Sequence, residues 1–147
     1  MAAYERDYIL RLIRQLAQAL ARIAGLKKEG KTEEALEVVR ETADAIFGPM
    51  LRTLEEIDTR SAASLMGNPE KLHALAVLSA EEGDILASKG EVQAARFKHR
   101  RALELYLEEV LLSSETNADA QSAIASLRGK VDESRLPARY QAMLARR

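Results

Sequence analysis

Apolar residues recur every three or four positions over long stretches of this chain, which is the spacing of amphipathic α-helices. The first such stretch runs from Tyr4 to Lys28. Its apolar positions are Ile9, Leu12, Ile13, Leu16, Leu20, Ile23 and Leu26, widened by Leu10, Ala17, Ala21 and Ala24. A helix with so broad an apolar surface has to be covered on two sides, by its own chain or by a second copy.

Glycine, proline and capping residues divide the rest of the chain into further helices. Gly30 is predicted to end the first helix, and Thr32 is predicted to cap a second that stops near Gly48 and Pro49. Later helices are predicted from Met50 to Glu56, from Pro69 to Ser88, and from beyond Gly90 to about Ser113. A short helix capped by Asp58 or Thr59 is predicted to end at Gly67, and one from Asp119 to Leu127 is predicted to have its cap at Thr116 or Asn117. The segment after Gly129 is expected to be either a docked short helix or a mobile tail.

An internal repeat follows from two equivalent helix breaks. Ala35 and Ala95 follow Gly30 and Gly90 at the same distance, so superposing the two glycines matches the first two helices with the two on either side of Gly90. The sequence therefore predicts an all-α protein with two helical hairpins joined by an irregular helical linker. We expect one helical domain at 1–115 and a C-terminal helical extension or partly mobile tail at 116–147.

These hairpins resemble the tetratricopeptide repeat. The residues that carry the resemblance are Gly30 and Ala35 in the first hairpin, and Gly83, Gly90, Ala95 and Ala102 in the second. Gly83 stands where that repeat has a small residue for close helix approach. In both hairpins an aromatic position of the repeat is replaced, by Val39 and by His99. Up to Leu112 the sequence also resembles a family of small bacterial helical-repeat proteins, which implies the fold and no reaction.

The resemblance implies a protein-interaction scaffold in which the first helix of each hairpin lines a concave surface. The residues carried over to that surface are Lys27, Lys28, Glu81, Asp84 and Ser88. The expected partner is a protein or peptide, which includes a second copy of the chain as a homodimer. The competing interpretation of each of these residues is a solvated charge.

Composition narrows the remaining possibilities. The chain has no cysteine, which excludes a disulfide, a thiolate zinc site and a cysteine nucleophile. Its 22 basic and 23 acidic residues are interleaved, so we expect no nucleic-acid partner, and the basic run from Arg96 to Arg101 is expected to be a solvated face. The chain has no apolar run long enough for a membrane span and no signal-like start, so we expect no membrane partner and a cytoplasmic location.

One pattern of acidic residues offers an enzymatic alternative. Glu34 and Glu37, followed by Glu55 and Asp58, are similar to the magnesium-binding carboxylates of all-α nucleoside triphosphate pyrophosphatases. Carboxylates three positions apart share a helix face and can hold a cation that activates water. The same spacing occurs elsewhere in this acid-rich chain, so the leading interpretation has no metal, no cofactor and no catalytic residues. Self-association through the first helix is the third alternative.

Overall fold

The computed structural model describes residues 3–115 and 117–147, and every regular element in these ranges is helical, which confirms the all-α prediction. The chain forms two compact units, Met1–Glu56 and Ile57–Arg147. Each contains one long helical hairpin.

The first unit is built on the hairpin of α1 (Ala3–Lys28) and α2 (Thr32–Phe47), followed by the short α3 (Met50–Glu56). One side of the broad apolar stripe of α1 is buried, at Leu12, Leu16, Ala19 and Ile23. On another side of the same helix, Leu10 and Ile13 are each 50% exposed. The expectation that both sides are covered is therefore not met by this chain alone.

The second unit is built around one central helix. Its elements are α4 (Thr59–Met66), α5 (Pro69–Ser88), α6 (Val92–Leu112), α7 (Ala118–Arg128), a short 3-10 helix (Glu133–Arg135) and α8 (Ala138–Ala145). The central helix, α6, contacts α4, α5, α7 and α8. Because α6 has neighbours on several sides, its buried residues do not fall on a single stripe.

The two hairpin turns have the same backbone geometry. Gly30 and Gly90 adopt left-handed conformations, with φ of 73° and 81°, which favours glycine at both positions. In each turn the residue after the glycine donates its N–H to a carbonyl of the preceding helix, at 2.9 Å for Lys31 and 3.0 Å for Glu91. The predicted internal repeat therefore appears as two equivalent turns, while its assignment to the tetratricopeptide type stays a prediction.

The helix starts agree with the predicted caps except at α2. Asp58 accepts a hydrogen bond from the Ser61 N–H at 3.0 Å and caps α4. The prediction that Thr32 caps α2 was wrong, because Thr32 is already inside the helix. Its hydroxyl instead donates to the Gly30 carbonyl at 3.3 Å.

Two residues, Thr116 and Asn117, were predicted as the cap of α7. The side chain of Asn117 accepts from the backbone N–H groups of Asp119 and Ala120, at 2.9 and 3.3 Å, and caps the helix. The other candidate, Thr116, lies outside the described residues.

In the second hairpin, Gly83 of α5 packs directly against the His99 side chain of α6. A Cβ atom at this position would lie 2.5 Å from Cδ2 of His99, which is closer than nonbonded carbon atoms can approach. His99 is 5% exposed, and the flanking Ala95 and Ala102 are also buried. Gly83 therefore leaves the space that the imidazole ring fills, as the sequence predicted for a small residue here.

We expect Gly83→Ala to destabilise the second unit by about 1–3 kcal/mol, because the added methyl group overpacks the contact and displaces His99. Urea unfolding followed by circular dichroism measures this. Gly25→Ala is the matched control, because a Cβ there meets nothing within 4 Å and the helix gains about 0.5–1 kcal/mol from alanine. Equal stabilisation by both substitutions would show that the Gly83 contact does not constrain the fold.

Candidate functional site: a basic cleft on the second unit

The contact at Gly83 continues into a polar network that reaches the C-terminal segment. Nε2 of His99 lies 2.8 Å from Oδ1 of Asp84, and Nζ of Lys130 donates to the same oxygen at 3.0 Å. His99 belongs to α6, Asp84 to α5, and Lys130 to the turn after α7. Asp84 thus ties this turn to the hairpin.

The two partners, His99 and Lys130, lower the pKa of Asp84. Burial alone would raise the pKa of Asp84, but the hydrogen bonds from His99 and Lys130 and the charge of Lys130 outweigh burial and hold the pKa below its usual value. The ionised carboxylate is therefore the form that the fold stabilises.

A second network holds α8 against α6. Glu108 is only 5% exposed and accepts from Nε and Nη2 of Arg139, at 3.0 and 3.1 Å. The Tyr140 hydroxyl donates to the same carboxylate at 2.6 Å. Burial and the hydrogen bond to Glu108 raise the pKa of Tyr140, so its hydroxyl stays a donor at physiological pH. The buried charge of Glu108 is thus paired and hydrogen-bonded, as such a charge requires.

The neighbouring Glu109 fixes the start of α7. It is 3% exposed, and its two oxygens lie 2.8 Å from Nδ1 of His73 and 3.0 Å from Nδ2 of Asn117. Asn117 is the residue that caps α7. Consecutive carboxylates on α6 therefore hold both C-terminal helices of the unit.

Between α6 and the turn after α7 the surface forms a cleft of about 620 Å³. Its residues on α6 are spaced three and four positions apart and share one helix face. We call the following set the basic cleft: Gln93, Arg96, Phe97 and Arg100 on α6, with Gly129, Lys130, Val131, Asp132 and Arg135 opposite. Four of these nine residues are basic and one is acidic.

The side chains of α6 give the basic cleft an aromatic and a cationic component. Phe97 is 52% exposed, and Cζ of Arg100 lies 5.7 Å from the centroid of its ring, within cation–π range. Across the cleft, Nε of Arg135 lies 3.7 Å from Oδ2 of Asp132. Such an arrangement can hold an anionic group beside an apolar one.

The basic run on α6 that was expected to be a solvated face is divided among different environments. Nζ of Lys98 lies 3.5 Å from Glu82, and His99 is buried. Nη1 of Arg101 donates to the Thr59 hydroxyl at 2.9 Å. Only the remaining members of this run, Arg96 and Arg100, line the basic cleft.

The residues predicted for a concave partner surface are split between the two units. Lys27 and Lys28 are exposed in the last turn of α1. The other three lie on α5, where Asp84 is engaged by His99 and Lys130, and the Ser88 hydroxyl donates to the Ile85 carbonyl at 2.7 Å. Glu81 is partly buried. These assignments stay predictions.

The four carboxylates of the metal alternative are all exposed. Glu34 and Glu37 lie on α2, and Glu55 lies on α3. Hydrogen bonds from Ser61 lower the pKa of Asp58 and use its side chain as a helix cap. Among residues 3–115 and 117–147, no group of three or more histidines and acidic residues is placed to hold a metal ion.

Comparison of the chain with protein-family models, curated proteins and solved structures finds no match. In the part of the chain that the structure describes, no helix has both the length and the apolar character needed to cross a membrane. The case for a function therefore comes from the site geometry.

We expect Glu108→Gln to loosen α8, because the amide keeps only one, uncharged, of the two oxygens that accept from Arg139 and Tyr140. Hydrogen bonds to charged groups contribute about 1.5–3 kcal/mol each, so the amides of Ala138–Ala145 should exchange at least about tenfold faster. Hydrogen exchange measured by NMR reports this directly. Glu115→Gln is the control, since Glu115 is exposed. Unchanged protection of α8 would show that Glu108 does not hold it.

The lowered pKa of Asp84 predicts a pH dependence of stability. A depressed carboxyl pKa stabilises the folded state above the unfolded value of about 3.8, and this contribution is lost as pH falls from there through the folded pKa. Asp84→Asn should therefore be less stable than wild type at neutral pH, and its stability should fall less between about pH 4 and the folded pKa. Thermal unfolding across this range measures both, and parallel curves would contradict the assignment.

Proposed function

We propose that this chain is a non-enzymatic protein-interaction module whose second unit binds a segment of a partner protein in the basic cleft. The observation that carries the proposal is the side-by-side placement of Phe97, Arg96 and Arg100 along one wall of a cleft, where Phe97 and Arg96 are exposed and Arg100 is partly exposed. Aromatic residues, phenylalanine among them, and arginine are enriched at protein interfaces, and arginine is also enriched at binding hot spots.

The placement of Phe97 supports this function. The chain has two phenylalanines, and Phe47 is buried whereas Phe97 is half-exposed. A half-exposed aromatic ring loses hydrophobic stabilisation that burial would supply. A partner side chain that covers the ring recovers that free energy on binding.

The anchoring of the opposite wall also supports it. Lys130 is held by Asp84, and Arg128 donates through Nε and Nη2 to Glu133 at 2.9 and 3.1 Å. Nη1 of Arg128 also donates to the Leu144 carbonyl of α8 at 3.2 Å. A wall ordered before binding lowers the entropy that a complex must lose when it forms.

The two alternative functions, a pyrophosphatase and a self-associating module, differ in the observations that support them. No observation favours the magnesium-dependent pyrophosphatase, whose four carboxylates are exposed and, among the described residues, belong to no metal-binding group. Self-association draws on the half-exposed Leu10 and Ile13 of α1, and it remains a prediction. Tetratricopeptide-like recognition through α1 and α5 likewise remains a prediction.

The test is a peptide library displayed on phage and selected against the wild-type protein. Peptides that bind the basic cleft should lose at least about tenfold in affinity for Phe97→Ser, because an aromatic hot spot contributes about 2 kcal/mol or more. They should keep their affinity for Leu112→Ser, which removes an equally exposed apolar side chain, 47% against 52%, from another part of the same helix. A selection that yields no binder, or only binders indifferent to Phe97→Ser, would contradict the proposed function.

A further inference from the structure

We propose that the segment bound in the basic cleft is acidic, with carboxylates that pair with Arg96 and Arg100 and an apolar side chain that packs beside Phe97. This inference rests on the proposed function and specifies the chemistry of the partner. It follows from the way charge is distributed around the cleft.

Arg96 and Arg100 are the two cations available on the helix wall. They lie one turn apart on the same face of α6, so their guanidinium groups serve neighbouring positions of a ligand. Among residues 3–115 and 117–147, neither makes an ion pair within 4.0 Å of a carboxylate; Arg96 interacts at longer range with Asp132, and Arg100 with Glu104. A guanidinium group offers a planar fork of donors that matches a carboxylate in two parallel hydrogen bonds.

The side chains of the opposite wall leave the basic cleft with a net positive charge. Lys130 is neutralised by Asp84, and the pair of Arg135 and Asp132 is long and exposed, with side chains 74% and 63% accessible. Such an exposed pair contributes little, so Arg135 can turn to a ligand carboxylate at small cost. Arg96, Arg100 and Arg135 thus face one acidic side chain, Asp132, inside the cleft.

The shape of this charge favours a protein segment over a nucleic acid. Nucleic acids are held by cations that follow a row of phosphates, whereas these arginines converge on one cleft in a chain with a net charge of −1. Beside these arginines, the half-exposed ring of Phe97 offers a contact for an apolar side chain. A short acidic segment with one apolar residue matches both features of the cleft.

The test is an NMR titration of the labelled 147-residue chain with a short peptide in which glutamates flank one phenylalanine. Backbone amide shifts should change around Phe97 and Val131, and the apparent affinity should fall as salt screens the ion pairs. The same peptide with glutamine in place of glutamate should bind at least about tenfold more weakly, and the lysine version weaker still.

Charge reversal of the arginines gives the matched comparison. The double substitution Arg96→Glu and Arg100→Glu should lower affinity for the glutamate peptide at least about tenfold and shift preference toward the lysine peptide. Arg60→Glu, an exposed position on α4, should leave the affinity unchanged. Circular dichroism establishes that each variant is folded, and the gained preference for lysine cannot come from unfolding.

The outcomes separate this inference from the proposed function. Equal affinity for the glutamine peptide, still lost in Phe97→Ser, would overturn the acidic chemistry and leave a partner-binding cleft in place. Tighter binding of a short oligouridylate through Arg96 and Arg100 would replace the acidic segment with a nucleic-acid ligand. Loss of all peptide binding, with no Phe97-dependent binder in the library, would overturn both.

Discussion

The close approach of α5 and α6 at Gly83 is the contact on which the arrangement of the second unit depends. No side chain larger than hydrogen fits there, because His99 occupies the space that a Cβ atom would need. The imidazole ring is buried and reaches Asp84, whose carboxylate also accepts from Lys130. The packing of Gly83 against His99 inside the hairpin therefore also helps to position the turn after α7, which lies well downstream in the sequence.

Two consecutive buried carboxylates on α6 also hold the two C-terminal helices, α7 and α8. Glu108 accepts hydrogen bonds from Arg139 and Tyr140 of α8, and Glu109 accepts one from Asn117 at the start of α7. Both side chains are nearly inaccessible, so removing a partner would leave a buried oxygen with one hydrogen bond fewer. These hydrogen bonds act together with the burial of apolar residues such as Ile124, Leu127 and Leu144 to hold the C-terminal helices against α6. One wall of the basic cleft is made from the turn between these two helices.

The sequence predicted the helices because a helix and its ends depend on residues that are close together in the chain. Helix limits followed from residues next to them, such as Gly30 and Gly90 with their left-handed backbones, and Asp58 as the cap of α4. Thr32 shows the limit of such rules, since a residue suited to capping lies one position inside the helix. His99 lies four positions after Ala95 and three before Ala102, so its burial on the face that they share also has a local cause in the sequence.

The candidate site was not predictable in the same way, because its walls come from segments far apart in the chain. The spacing of Gln93, Arg96, Phe97 and Arg100 marks one helix face, yet the sequence does not show that the turn after α7 lies opposite it. That placement depends on pairings such as Lys130 with Asp84, which follow no sequence period. Asp84 itself was expected at a partner surface, and its internal hydrogen bonds became visible only in the structure.

A double-mutant cycle between Gly83→Ala and Lys130→Met tests most directly whether the helix contact positions the cleft wall. Lys130→Met should cost up to about 1 kcal/mol of unfolding free energy in wild type, the value typical of a partly exposed ion pair. In the Gly83→Ala background the same substitution should cost close to nothing, because displaced His99 no longer orients Asp84 toward the turn. An equal cost in both backgrounds would show that the two contacts are independent, and would contradict this account.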